Sequence, residues 1–342
     1  WHQEIEDILV LKNNKGTEDN RVRRMDYSIQ MSKMFYERFI NEEDITLFSP
    51  HTVPGLYDAF GTDKFDALYK KYEKDKSIPK KTIAAQELFA DLLKERAETG
   101  RIYIMNIDHS NSHSSFKDKV SMSNLCQEIT LPTTPIKSID DPNGEIALCI
   151  LSAINVGAIG NINELESLCD LSVRALDEII EIQDYPVKAA EVSTKSRRSL
   201  GIGYIGLAHY LAKNGVKYSD PKAWELVDRL SEAFQYYLLR ASCDIAEEKG
   251  KCSAFDKTKY ADGLLPIDHY KKEVDEIVVH KQRMAWESLR KDIAKYGLRH
   301  STLSAQMPSE SSSVVSNETN GIEPPRALLS IKKSKKGPLK QI

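Results

Sequence analysis

The chain has 342 residues, 41% hydrophobic and 29% charged, with 48 basic and 51 acidic side chains and a formal net charge of −3. That length suits one large domain or two ordinary ones, with ample apolar material for a core. The near-balance of charge gives no bulk argument for nucleic-acid binding, no apolar run approaches a membrane span, and the N-terminus lacks a signal-peptide pattern.

Five cysteines (Cys126, Cys149, Cys169, Cys243 and Cys252) are odd in number and widely spaced. They suit a reducing cytoplasm better than a secreted disulfide framework, and without a CxxC no cysteine zinc knuckle is expected. The start at Trp1 and the stop at Ile342 after a basic run read as an internal piece of a longer polypeptide, or a split gene product.

In chain order, residues 1–40 read as helical, from Ile5, Ile8, Leu9 and Leu11 and then Met25, Ile29, Met34, Phe35 and Phe39. Asp44–Phe48 reads as a short buried strand closed by Ser49-Pro50. Charged helical segments follow at about 56–74 and 82–98, the second stopped by Gly100. Arg101–Asp108 alternates as a strand does. His109 and His113 stand four apart, a metal-ligand spacing on a helix, but the Ser and Asn residues around them point to a loop. Glu145–Ser152 reads as a strand carrying Cys149, and Asn163–Gln183 as a helix. Trp224–Glu248 reads as a long amphipathic helix stopped by Gly250, with Tyr236 and Tyr237 as packing residues. Trp286–Tyr296 forms a helix closed by Gly297, and Leu298–Ala305 a strand. The run Lys332-Lys333-Ser334-Lys335-Lys336 reads as a solvated loop.

Three stretches carry chemistry. In Asn124-Leu125-Cys126-Gln127-Glu128 a thiol and a carboxylate lie two residues apart. An extended backbone would aim both, with Asn124, at one bound molecule. Sulfur supplies redox or nucleophilic chemistry, and the carboxylate moves a proton. A strand with a small buried Cys and a surface Glu is the plain alternative. Gly201-Ile202-Gly203-Tyr204-Ile205-Gly206 spells the dinucleotide fingerprint, but a polar, basic segment precedes it rather than a buried strand, so small residues allowing tight helix packing is the competing explanation. Pro308-Ser309-Glu310-Ser311-Ser312-Ser313 places hydroxyls at a strand-to-helix junction, where either an anion site or an ordinary serine cap fits.

The run Asn124-Leu125-Cys126-x-Glu128-Ile129-x-Leu131-Pro132 resembles the finger loop of the class I ribonucleotide reductase large-subunit family. The likeness continues, in family order, through Asn143–Asn155, Trp286–Pro308 and Asn317–Arg326. The resemblance implies part of a ten-stranded α/β barrel with a central finger loop. The end of the first half-barrel would run over about 1–120, the finger loop over about 121–132 and the second half-barrel over about 133–342. In this family the 201–206 segment is expected as a helix. The implied function is reduction of ribonucleoside diphosphates to deoxyribonucleotides for DNA synthesis. Cys126 would be the thiyl radical, Glu128 the proton acceptor and Asn124 the holder of the substrate hydroxyl. Cys149 would be one member of the reducing pair, its partner outside this chain, and Pro308, Ser309, Glu310, Ser311 and Ser312 would bind the substrate diphosphate.

The same resemblance implies no cofactor in this segment. The radical would come from a metal-containing small subunit, and ATP and deoxynucleotide effectors would bind outside the segment. Implied partners are the small subunit, a second large subunit, and thioredoxin or glutaredoxin, with no membrane or nucleic acid. The family's other reducing cysteine, shuttle cysteines and relay tyrosines have no counterpart here. The isolated segment is therefore expected to be inactive, and its unpaired strand edges imply poor solubility or dependence on a complementary piece. Competing readings are an NAD(P)-dependent oxidoreductase using residues 201–206 and a non-catalytic interaction module derived from the barrel.

Overall fold

The computed structural model describes residues 1–342 apart from 14, 16, 23, 24, 101, 278–280, 335, 336 and 342. The chain divides into two compact units, Trp1–Ser114 and Ser115–Ile342.

In the first unit the order is α1 (Ile5–Leu9), β1 (Tyr27–Met31), α2 (Lys33–Ile40), β2 (Asp44–Phe48), α3 (Leu56–Ala59), α4 (Phe65–Lys74), β3 (Lys80–Ala84), α5 (Ala85–Thr99), β4 (Ile102–Asn106) and α6 (Ile107–Ser112). The strands form two pairs, β1 parallel to β4 and β2 antiparallel to β3. The expected helix over 1–40 is thus broken by a strand. Ile29 satisfies either periodicity, and a partner some 75 residues away in β4 decides between them. Ser32 ends that strand and caps α2, accepting a hydrogen bond from Phe35 N at 3.3 Å. The expected buried strand at Asp44–Phe48 is present with the same bounds. Its Thr46 backbone donates to and accepts from the Tyr69 hydroxyl at 2.6 and 2.7 Å, which anchors α4 at the base of a core built on Leu47, Phe48, Leu56 and Phe65. Gly100 closes α5 with φ +64°. His109 lies on α6 and His113 caps it, so the loop expected there is a short helix.

In the second unit the order is β5 (Ile150–Asn155), α7 (Glu164–Ile182), α8 (Lys188–Arg197), β6 (Leu200–Ile205), α9 (Leu207–Lys213), α10 (Pro221–Lys249), α11 (Trp286–Tyr296), α12 (Glu310–Val315), β7 (Ser330–Ser334) and β8 (Gly337–Gln341). The long helices fall where periodicity puts them, and α7 packs along α10 over Leu165, Cys169, Val173, Leu230, Phe234 and Leu238. Tyr236 packs edge-on against Trp286, ring centroids 5.3 Å apart, as a packing residue should. β5 runs parallel to β6. Residues 302–305 extend this pair on the far side of β6, with Ile202 N donating to Leu303 O at 2.8 Å and Ala305 N to Ile202 O at 3.1 Å. The expected strand over Leu298–Ala305 is reduced to this short pairing, and Cys149 sits just ahead of its strand rather than within it. The first three residues of the basic run 332–336 lie in β7, whereas residues 335 and 336 lie outside the described residues.

The segment 201–206 is not a helix. Gly201 and Gly203 lie inside β6 because neighbouring atoms leave no room for a side chain. A Cβ on Gly201 would stand 2.6 Å from Cys149 Sγ, and one on Gly203 would stand 2.4 Å from the Ala305 carbonyl oxygen. Only Gly206, φ +81°, occupies the turn into α9.

Candidate functional site

The loop around Cys126 is a tight turn, not the extended strand expected. Gln127 N donates to Asn124 O at 3.2 Å, and Gln127 has φ +58°. The Asn124 side-chain oxygen accepts from Ile129 N at 3.3 Å, and Ser123 Oγ donates to Ile129 O at 3.0 Å. These short polar side chains satisfy backbone groups that a strand would have paired across a ladder. Cys126 is presented near the tip, half-buried, while Leu125 beside it is 61% exposed. The same-face argument for Cys126 and Glu128 therefore fails as a strand argument, since the turn sets their directions.

Two polar atoms of this loop are buried without a hydrogen-bond partner, Glu128 Oε2 and Gln127 Nε2. Leaving such groups unpaired costs about 1–3 kcal/mol each, so a protein retains them where something else supplies the partner. Glu128 also lies near enough to Cys149 for its charge to be felt there. Burial first, and then the Glu128 carboxylate, push the Cys149 thiol up to about 12. At neutral pH Cys149 is consequently a neutral S–H group, able to donate hydrogen rather than act as a thiolate.

Cys149 shares the face of Gly201 with the strand that leads to the serine loop, for a Cβ there would also stand 3.1 Å from Ala305 Cβ. Three residues after Ala305 come Pro308 and then Ser309, whose backbone is left-handed at φ +52° and opens α12. Pro308, Glu310, Ser311 and Ser312 are exposed and Ser309 is half-exposed. Ser313 turns inward, its N–H bonded to Ser309 O at 2.9 Å and its carbonyl accepting from Glu318 N at 2.9 Å. Cys169, Cys243 and Cys252 are buried, with thiols pushed up by burial to about 12, 11 and 11, and serve as core.

A second polar cluster was not foreseen. Asp177, Ser242 and His300 stand in line, with His300 Nε2 donating to Asp177 Oδ1 at 3.1 Å and the Ser242 hydroxyl donating to Nδ1 at 2.9 Å. This has the order of a hydrolase triad, but all three side chains are buried and hydrogen-bonded within the cluster. Ser242 Oγ accepts from His300 N at 3.1 Å, and Asp177 Oδ1 accepts from Arg198 at 2.7 Å and Arg299 at 3.2 Å. Burial drives His300 down to about 4, so the ring is neutral. Burial opposes ionisation of Asp177, yet the His300 hydrogen bond and the Arg198 charge outweigh it and hold the carboxyl well below its usual range. The cluster fastens α7, α10 and the 299–301 segment together.

Among the described residues no group of three or more His, Cys, Asp and Glu is placed to hold a metal; the His109 and His113 rings meet edge-on, centroids 5.4 Å apart. No helix among them is long and apolar enough to cross a membrane.

The family model "Ribonucleotide reductase, barrel domain" matches residues 1–342. This chain belongs to that family. Its α/β elements are a part of the barrel, which accounts for short open strand pairs in place of a closed sheet. It is 57% identical to the "Ribonucleoside-diphosphate reductase subunit alpha" of Buchnera aphidicola subsp. Schizaphis graminum and 56% identical to subunit alpha of reductase 1 of Escherichia coli K12. It is 45% identical to the subunit alpha of Enterobacteria phage T4. Each alignment covers 100% of this chain and 46% of the relative, so the chain spans about half the length of the curated relatives it matches. Neither competing reading gains support from these names. The dinucleotide reading also fails on geometry, because two of its three glycines lie within a paired strand rather than in a phosphate-cradling turn.

Proposed function

We propose that this chain is the catalytic segment of a ribonucleoside-diphosphate reductase, reducing ribonucleotides by thiyl-radical chemistry. The observation that carries the reading is the buried, unpartnered Glu128 oxygen on the loop that presents Cys126. A hydroxylated substrate would supply the missing donor.

In this reading the Cys126 thiyl takes the 3′ hydrogen and Glu128 accepts the 3′-hydroxyl proton. The 2′-hydroxyl, protonated by the cysteine pair, departs as water. Cys149 and a partner cysteine outside this chain supply two electrons and the second hydrogen, which goes to C2′, and end as a disulfide; Glu128 returns its proton to the 3′ oxygen, and the 3′ hydrogen returns from Cys126. Asn124 holds the substrate hydroxyl so that the reacting atoms stay aligned. Pro308, Ser309, Glu310, Ser311 and Ser312 hold the diphosphate, with exposed hydroxyls and the backbone turned at Ser309.

The relatives' designation as alpha subunits supports a radical-generating beta subunit as partner. A second alpha subunit, thioredoxin or glutaredoxin and a cytoplasmic location complete the proposal, with effectors bound outside this segment. Residues 1–120 would close the first half-barrel, 121–132 form the finger loop and 133–342 the second half-barrel; the unit division after Ser114 lies close to the first boundary. The test is deoxyribonucleotide formation by an assembled reductase whose large subunit carries this segment, with Cys126→Ser alongside. Product that disappears in the variant is expected. Equal product from both would sink the reading.

A further inference from the structure

We propose that Arg197 is a positioning residue, stapling both feet of the loop that bears Cys126 and Glu128 and thereby fixing where that loop stands relative to Cys149. The inference rests on the function proposed above. Arg197 closes α8 and its side chain is 4% exposed. Its Nη2 donates to Asp118 Oδ2 at 2.7 Å, just before the loop. Its Nε and Nη2 also engage the Glu145 carboxylate, the second contact at 3.2 Å. Glu145 belongs to the far foot, because its backbone exchanges both hydrogen bonds with Thr134, N to O at 3.0 and 3.1 Å. Glu145 also opens the stretch that runs on to Cys149. One guanidinium thus gathers residues 118, 134 and 145, none of them on its own helix.

The backbone of Arg197 performs a third task. Its carbonyl accepts from Ser301 N at 2.9 Å, at the head of the strand that leads to the 308–312 loop. Ser115 Oγ donates to the Ser301 carbonyl at 2.8 Å, tying the near foot to the same point. Lys257, 3.9 Å from Glu145, is the other cation facing this carboxylate, and it is 55% exposed and weaker for it. An ordinary buried ion pair would join two neighbouring elements. Here the loop, the approach to Cys149 and the approach to the serine loop converge on one residue.

The experiment uses an assembled reductase whose large subunit carries this segment. Arg197→Lys keeps the charge but offers one ammonium instead of separate Nε and Nη2 donors, so it serves one carboxylate and not both. The expected result is a kcat lowered by about 10- to 100-fold with KM for the ribonucleoside diphosphate kept within about twofold. KM is spared because the carbonyl that holds Ser301 survives the substitution. Asp118→Asn, at a partly exposed position, loosens one foot alone and should show the same split on a smaller scale. A readout independent of turnover is iodoacetamide alkylation of Cys149, followed by peptide mapping. With the Glu128 charge drawn away, that rate should rise in Arg197→Lys above the rate in the unsubstituted protein. Alkylation unchanged in both variants, with activity lost only in proportion to unfolded protein, would overturn the inference. Faster alkylation in variants of an assembly that makes no deoxyribonucleotide would instead keep the staple and remove the reductase reading.

Discussion

Two polar clusters lie in the second unit, and they are built on opposite terms. In the Asp177–His300–Ser242 cluster the polar atoms meet each other, with Arg198 and Arg299 completing the set. In the Asn124–Glu128 loop the turn is closed by Asn124 and Gln127, while Glu128 Oε2 and Gln127 Nε2 are buried with nothing to bond. The first has the residue order of a catalytic triad and the second has no such pattern. Completeness separates them, since a closed network specifies structure and an orphaned buried group anticipates a ligand.

The largest expected effect that sharpens this contrast is at Cys126, where Cys126→Ser should reduce deoxyribonucleotide formation to background while the unfolding midpoint stays put. Glu128→Gln should lower kcat by about 10²- to 10⁴-fold without loss of thermal stability, because its buried oxygen has no partner to forfeit. A marked drop in melting temperature there would mean that the loop is structural after all.

Asp177→Asn should behave in reverse, costing about 3 kcal/mol or more by leaving Arg198 and Arg299 under-compensated in the interior, as read by urea unfolding. Acid should act on the same cluster. The folded-state value of His300, about 4, lies below its ordinary 6.5, so the unfolded chain binds the proton first. Stability is therefore lost as pH falls from about 6.5 to about 4, by on the order of 3 kcal/mol, and a pH series of unfolding curves flat over that window would break the assignment. The smallest effect belongs to Ser242→Ala, about 1–2 kcal/mol for the hydrogen bonds to His300, with nucleotide reduction unchanged.

Local pattern carried the helices well. α7, α10 and α11 begin and end within a few residues of where apolar spacing and the stops at Gly250 and Gly297 put them. Strands were legible where the run carried its own evidence, apolar at Asp44–Phe48 and alternating at Arg101–Asp108, which holds β4. β1 and β6 were missed because each is selected by a distant partner, β4 in one case and β5 with residues 302–305 in the other. The glycines of β6 misled for a related reason. They answer to Cys149 Sγ and the Ala305 carbonyl, contacts no local reading contains.

At the site, Cys126, Glu128 and Cys149 were named from motif likeness, while the extended geometry first offered for them gave way to a turn closed by Ser123 and Asn124. Arg197 went unremarked inside a polar stretch. The one available signal was a pair of adjacent arginines at a helix end, and its meaning depends on carboxylates 52 and 79 residues away.

Those adjacent arginines point to different clusters because Arg198 takes a left-handed backbone, φ +48°. Arg197 serves the loop and Arg198 serves Asp177 and Glu181. A single peptide bond therefore links the residue that pins the Cys126 loop to the Asp177 network. In hydrogen-exchange terms the feet of the loop, at residues 118, 134 and 145, should not open as an independent low-energy segment. Their amides should exchange together with those of α8 and the 299–301 stretch, leaving the tip around Leu125 as the place where the loop breathes.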